Sequence, residues 1–181
     1  MSIDCANAAS GRVTIRLLGG CQVFDASGRR LRVSSGKARA LLAYLAMPIG
    51  RSHARDELAR LLWPTTASSH ARLSLRRALS DLRRALGAGV QAEGDRVFLR
   101  PDMFQSDVER FVQASSARRL ELLGEASSLY AGDFLARLSI DSESFARWQL
   151  LERQYLRSRM LVCRACENAV RASGEEYAHA G

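Results

Sequence analysis

Long apolar runs are missing from this chain, and several other features are scarce. No stretch among its 181 residues is apolar for the length a membrane span needs. Met1 to Arg12 lacks the apolar core of a signal peptide. The expected setting is therefore cytoplasmic, with no membrane partner. Lysine is almost absent, because Lys37 stands alone among 27 basic residues. The arginine total thus partly reflects coding preference, and the position of each arginine is the better guide. His53, His70 and His179 are scattered and suggest no triad or metal site. Cys163 and Cys166 form the run C-R-A-C, but no second cysteine pair or nearby histidine completes four zinc ligands. Cys5 and Cys21 are likewise unpaired by any pattern, and a buried free cysteine is ordinarily a small hydrophobe. Gly19-Gly20 lacks the lysine and helix that would follow in a phosphate-binding loop. No carboxylate pair is placed for acid–base work. These absences speak against an enzyme, and no catalytic residue, cofactor or metal site is assigned.

What is present is unevenly spread. Residues 1–100 hold 17 basic and 7 acidic side chains, a net of +10, and residues 101–181 hold 10 and 12, a net of −2; together these give the overall +8. A positive first half joined to a near-neutral second half points to a polyanion-binding domain followed by something else. The length suits one large or two small domains. Residues 1–11 are small and polar and are expected to be disordered. V-T-I-R-L-L, C-Q-V-F and L-R-V, separated by turn residues, predict a small antiparallel sheet. Ser34 or Ser35 can cap a helix running through Met47. A second helix is predicted over Ala54–Leu62, with Ala54 standing where a Ser or Thr would complete a capping box with Glu57.

The stretch Ser68–Gly87 is the most informative. At 100° per residue, Ala71, Leu75, Ala78, Leu79, Leu82 and Leu86 fall on one arc, the apolar stripe that docks a helix on a core. Ser69, Leu73, Arg76, Arg77, Ser80 and Arg84 lie opposite, with Arg72 and Arg83 on a shoulder. Ser68 or Ser69 is the expected N-cap and Gly87 the stop. Arginine offers a planar donor fork that fits phosphate oxygens and the edge of guanine. Two short helices joined by a turn, the second basic and outward-facing, make a helix-turn-helix. The hairpin predicted around Glu93-Gly94-Asp95 would be its wing, with Arg96 beside the tip. The candidate DNA contacts are Ser69, Arg72, Leu73, Arg76, Arg77, Ser80, Arg83, Arg84 and Arg96. Ser69, Arg72, Leu73 and Arg76 lead for base edges, and Arg83, Arg84 and Arg96 for phosphate. His70, Lys37 and Arg39 are additional candidates for backbone contact, with a solvated helix start the equal alternative for Lys37 and Arg39.

Pro101-Asp102 marks the expected boundary of a domain over 12–102. Beyond it, residues 103–181 read as helical: Val108–Ala114, Arg118–Leu129, and a long helix over Ser142–Ser173 with Phe145, Trp148, Leu151, Leu156, Met160 and Val170 available for packing. Gly174-Glu175-Glu176-Tyr177 reads as the opening of a further helix, so the array is expected to be incomplete.

The runs L-L-G-G-C-Q-V, K-A-R-A-L-L-A-Y-L-A, D-E-L-A-R-L-L-W-P, A-R-L-S-L-R-R-A-L-S-D-L-R-R-A-L-G, L-Y-A-G-D-F-L and F-A-R-W-Q-L-L-E-R-Q-Y-L-R closely resemble bacterial activators of the antibiotic-regulatory (SARP) type. The resemblance covers about residues 13–178. It implies a mainly α fold with a small β component: an OmpR-like winged helix-turn-helix followed by an all-α, tetratricopeptide-like bacterial transcriptional activator domain. It further implies Ala71–Leu86 as recognition helix and Glu93–Arg96 as wing tip. The partners it implies are promoter repeats in double-stranded DNA and RNA polymerase, with self-association on DNA, at the bacterial nucleoid. The alternative is a protein-interaction adaptor, or a regulatory fragment of a larger signalling protein, whose winged helix does not bind DNA.

Overall fold

Strand β1 (Val13–Arg16) pairs antiparallel with β2 (Gln22–Phe24), which pairs with β3 (Arg30–Leu31). The turn between β2 and β3 is held by Asp25, whose Oδ1 accepts from the backbone N–H groups of Ser27 and Arg29. The computed structural model describes residues 11–116 and 120–178. The segment expected to be disordered, but for Gly11, lies outside the described residues, as do Arg118, Arg119, His179 and the packing of Val170.

Helix α1 (Gly36–Leu45) follows Ser35, whose hydroxyl accepts from the Ala38 N–H at 3.3 Å. It stops short of the predicted Met47, with Ala46 as its C-cap. Two-residue strand β4 (His53–Ala54) then leads directly into α2 (Arg55–Leu62). Ala54 offers α2 no side-chain cap, as its chemistry dictates. The Asp95 carbonyl takes up the slack by accepting from the Arg55 N–H at 2.9 Å. Helix α3 (Ser68–Leu86) runs for 19 residues. Its start corrects the predicted cap: Ala67 holds the N-cap position without a side-chain bond, and Ser68 and Ser69 lie inside the first turn. Gly87 ends it at φ +71°, a backbone state that suits glycine. After a 3-10 turn (Gly87–Gly89), β5 (Val90–Glu93) and β6 (Arg96–Leu99) form the hairpin, and β4 completes a three-stranded sheet in the order β4-β6-β5.

Residues beyond 102 return to the first sheet. Strand β7 (Phe104–Ser106) pairs parallel with β1, giving the order β3-β2-β1-β7. Ser106 caps α4 (Asp107–Ser115), accepting from the Val108 N–H at 3.1 Å. Asp107 is buried, and its carboxylate accepts from the Leu17 N–H at 2.8 Å and the Leu18 N–H at 3.0 Å. Helices α5 (Leu120–Leu129) and α6 (Glu143–Ala178) complete the chain.

The connection Tyr130–Leu135 is clamped from two sides. Leu135 N–H donates to Leu17 O and Gly19 N–H to Asp133 O. From α6, Arg153 donates to the carbonyls of Phe134 and Leu135, and Gln149 to those of Leu135 and Leu138. A single buried core runs from Ile15 through the α1–α3 leucines to Phe145, Leu156, Met160 and Cys163. Two expectations for the long helix are corrected. Residues 174–177 continue α6 in place of opening a further helix, and Leu151 is 59% exposed rather than packed.

Candidate nucleic-acid interface

Helix α3 owes its position to its apolar stripe. Ala71, Leu75, Ala78, Leu79, Leu82 and Leu86 are all buried, and the helix packs on α1, α2 and β5. Docking that stripe forces the opposite face outward. Ser69, Arg72, Leu73, Arg76, Arg77, Ser80, Arg83 and Arg84 are all exposed, as is Arg96 on β6. Leu73 is an apolar side chain 43% exposed on this basic face. His70 is exposed on the same helix.

The arginines fall into two groups. Arg72 is clamped bidentately by Asp56 of α2, with Nε and Nη2 each 2.7 Å from a carboxylate oxygen. That hydrogen bond holds the Asp56 carboxyl below its ordinary range and raises Arg72 above its own. Arg83 donates from Nε to the Val90 carbonyl at 3.2 Å, tying α3 to the hairpin, and Arg84 lies 3.7 Å from Asp81. Arg96 donates to the Ser52 hydroxyl and carbonyl, both at 3.1 Å. Among the described residues, Arg76 and Arg77 have no hydrogen-bond or ion-pair partner. The hairpin tip adds Glu93 and Asp95, both exposed and acidic, so the positive surface is strongest at mid-helix rather than at the wing. Arg55, Asp56, Arg72, Arg76 and Asp95 together line a shallow cleft between α3 and the hairpin tip.

Two supplementary candidates are corrected. Lys37 is engaged internally, donating to the carbonyls of Leu62 and Asp141 and lying 5.6 Å from the Trp63 ring centre. Arg39 is partly buried against a cavity beside β2 and β3.

Sequence reasoning also missed a buried polar cluster. His53 is 1% exposed, and its Nδ1 lies 3.1 Å from Glu57 Oε1, which also accepts from the Tyr44 hydroxyl at 3.0 Å. Burial would raise the Glu57 carboxyl, but these hydrogen bonds outweigh it and hold the group below its ordinary range. Tyr44 in turn meets Trp148 of α6 edge-on, with ring centres 5.0 Å apart. The cluster therefore ties the helix-turn-helix to the helical half. Only the pattern of H-A-R-D-E around the start of α2 hinted at it. Cys163 is buried with its thiol toward the Leu123 carbonyl, whereas Cys166 is exposed, so the C-R-A-C pair is split between two faces. Among the described residues, no cluster of His, Cys, Asp or Glu could hold a metal, and no helix is long and apolar enough to cross a membrane.

The fold is a winged helix-turn-helix followed by a helical array, mainly α with a small β component, and is SARP-like in architecture. No family model matches the chain, and no curated protein does. Among solved structures it is similar to Mycobacterium tuberculosis EmbR, determined in complex with a low-affinity phosphopeptide, with a TM-score of 0.70 and 26% sequence identity. The likeness covers 92% of this chain and 48% of that one, so the chain spans about half the length of EmbR.

Proposed function

We propose that this chain is a sequence-specific transcription regulator, an activator, that binds double-stranded DNA by placing α3 in the major groove. The observation that carries the reading is the arginine pair Arg76 and Arg77. It stands at the middle of an exposed face whose other side is entirely buried, and it is free of protein partners among the described residues. Guanidinium forks without a partner are poised for guanine edges or phosphate. Ser69, Leu73 and Ser80 flank them as short or apolar contacts, and Arg84 extends the surface toward phosphate. Arg72, Arg83 and Arg96 hold α2, the hairpin and Ser52 in place, so their contribution to DNA binding is orientation together with charge. The DNA-binding unit is assigned to residues 12–102, steadied by β7, and the helical unit to 103–181.

The helical unit supports protein partners. Leu150, Leu151, Tyr155, Leu161 and Val162 leave α6 with exposed apolar side chains. RNA polymerase and a second copy bound at an adjacent promoter repeat are the partners we assign to that half. Salt titration of DNA binding tests the central reading. Affinity for duplex DNA should fall steeply, with a slope of about −0.9 in log K against log salt for each neutralised phosphate. Flat affinity between low and physiological salt would contradict it and favour the adaptor reading.

A further inference from the structure

Away from the wing, β2, β3 and the first turn of α1 line an open pocket of about 350 Å³, a volume that suits a small ligand. Arg30, Arg32 and Arg39 line it, and no acidic side chain stands on its wall. Three guanidiniums gathered without a carboxylate form a local positive field that an anion would relieve. Arg39 supplies the sharper observation, because its Nε is buried and has no hydrogen-bond partner. A buried charged donor left unpaired is costly, and native folds ordinarily satisfy such atoms with a bound group. Cys21 adds no counter-charge. Its thiol is directed at the Arg39 carbonyl, 3.9 Å away, and burial pushes its pKa up to about 11. Asp107, the acid that acts on Cys21, is itself occupied by the Leu17 and Leu18 N–H groups.

We propose that this cavity binds a small phosphomonoester, with Arg39 and Arg32 gripping the phosphoryl oxygens and Arg30 closing the charge. The guanidinium fork matches two phosphoryl oxygens at once. Val23 and Val33 supply apolar wall for the organic part of the ligand. The site is separate from the proposed DNA surface. Helix α3 and the hairpin belong with the three-stranded sheet, whereas β3 is the edge strand of the four-stranded one. A ligand here would reach α3 through α1, which carries Arg39 and packs on α3.

Phenyl phosphate titrated into the full chain by calorimetry at fixed ionic strength tests the site, with phenol and inorganic phosphate as reference probes. Saturable one-to-one binding of phenyl phosphate is expected, weaker for inorganic phosphate and absent for phenol. Arg32→Ala, at an exposed position, and Arg39→Gln should each weaken it about tenfold or more, and Arg76→Ala with Arg77→Ala should leave it unchanged. Should Arg39→Gln fail to fold, Arg32→Ala carries the test. Absence of saturable binding, or affinity that Arg32→Ala leaves intact, overturns the proposal. Displacement of phenyl phosphate by duplex DNA would assign the cavity to a DNA phosphate and overturn the small-ligand reading.

Discussion

Replacing Asp107 with asparagine isolates a buried carboxylate that joins the two halves of the chain. Asp107 opens α4, yet its oxygens accept from Leu17 and Leu18, about 90 residues earlier in sequence. Burial raises its pKa from 3.8 to about 6, outweighing the backbone hydrogen bonds from Leu17, Leu18 and Val108 that favour the charged form. A raised carboxylate pKa means that the folded chain holds a proton that the unfolded chain has released. The group's stabilising contribution is therefore full below about pH 4 and is lost as pH rises through 6. The difference corresponds to about 3 kcal/mol. Asp107→Asn keeps one acceptor oxygen and cannot ionise, so its stability should not follow this titration. Urea denaturation of both chains from pH 4 to pH 7.5 measures the effect. Relative to Asp107→Asn, the wild-type chain should lose about 2 kcal/mol across that range, the rest of the change falling below pH 4. A constant difference, or one of opposite slope, would show that the charged form is not disfavoured at this position.

Three further substitutions probe the packing. Leu79→Ala, on the buried stripe of α3, should cost roughly 2–5 kcal/mol in chemical denaturation, and a loss below about 0.5 kcal/mol would place the stripe outside the core. Trp148→Ala removes the ring that meets Tyr44, Phe134 and Phe145, with centres 5.0, 5.5 and 5.1 Å away; roughly 3 kcal/mol should be lost by the same assay, and an unchanged transition would refute the coupling of α6 to α1. A Cβ on Gly89 would overlap the Phe104 ring at Cε2, so Gly89→Ala should lower the melting temperature through overpacking worth about 1–3 kcal/mol, and no shift would mean that Phe104 yields freely.

The parts of this fold that were legible in the sequence are those whose signal is local. The α3 stripe repeats every three or four residues and is bounded by Gly87, so its period alone separates buried from exposed positions. The hairpin was equally readable from Glu93-Gly94-Asp95. Strand β7 was not, because F-Q-S is only three residues long and gains its identity from parallel pairing with β1 across the length of the winged helix. Strand β4, at two residues, was hidden for the same reason. Leu151 misled because α6 carries apolar residues on more than one face, and only the face with Phe145, Leu156, Met160 and Cys163 meets the core. The contact face of α3 was readable as a face. Its division into committed and free arginines was not, since Asp56, Val90 and Ser52 are brought to Arg72, Arg83 and Arg96 by other elements.

The most direct test compares two arginine pairs of equal charge by fluorescence anisotropy on a duplex selected from genomic fragments. Arg76→Ala with Arg77→Ala removes the free pair on α3, and Arg157→Ala with Arg164→Ala removes two exposed arginines of α6. A lost bidentate base contact costs on the order of 1–3 kcal/mol, so the α3 pair should weaken specific binding about a hundredfold or more while melting stays unchanged. The α6 pair should alter affinity little beyond a weak long-range term that salt removes. Equal losses from the two pairs would mean that bulk charge, and not α3, holds the DNA.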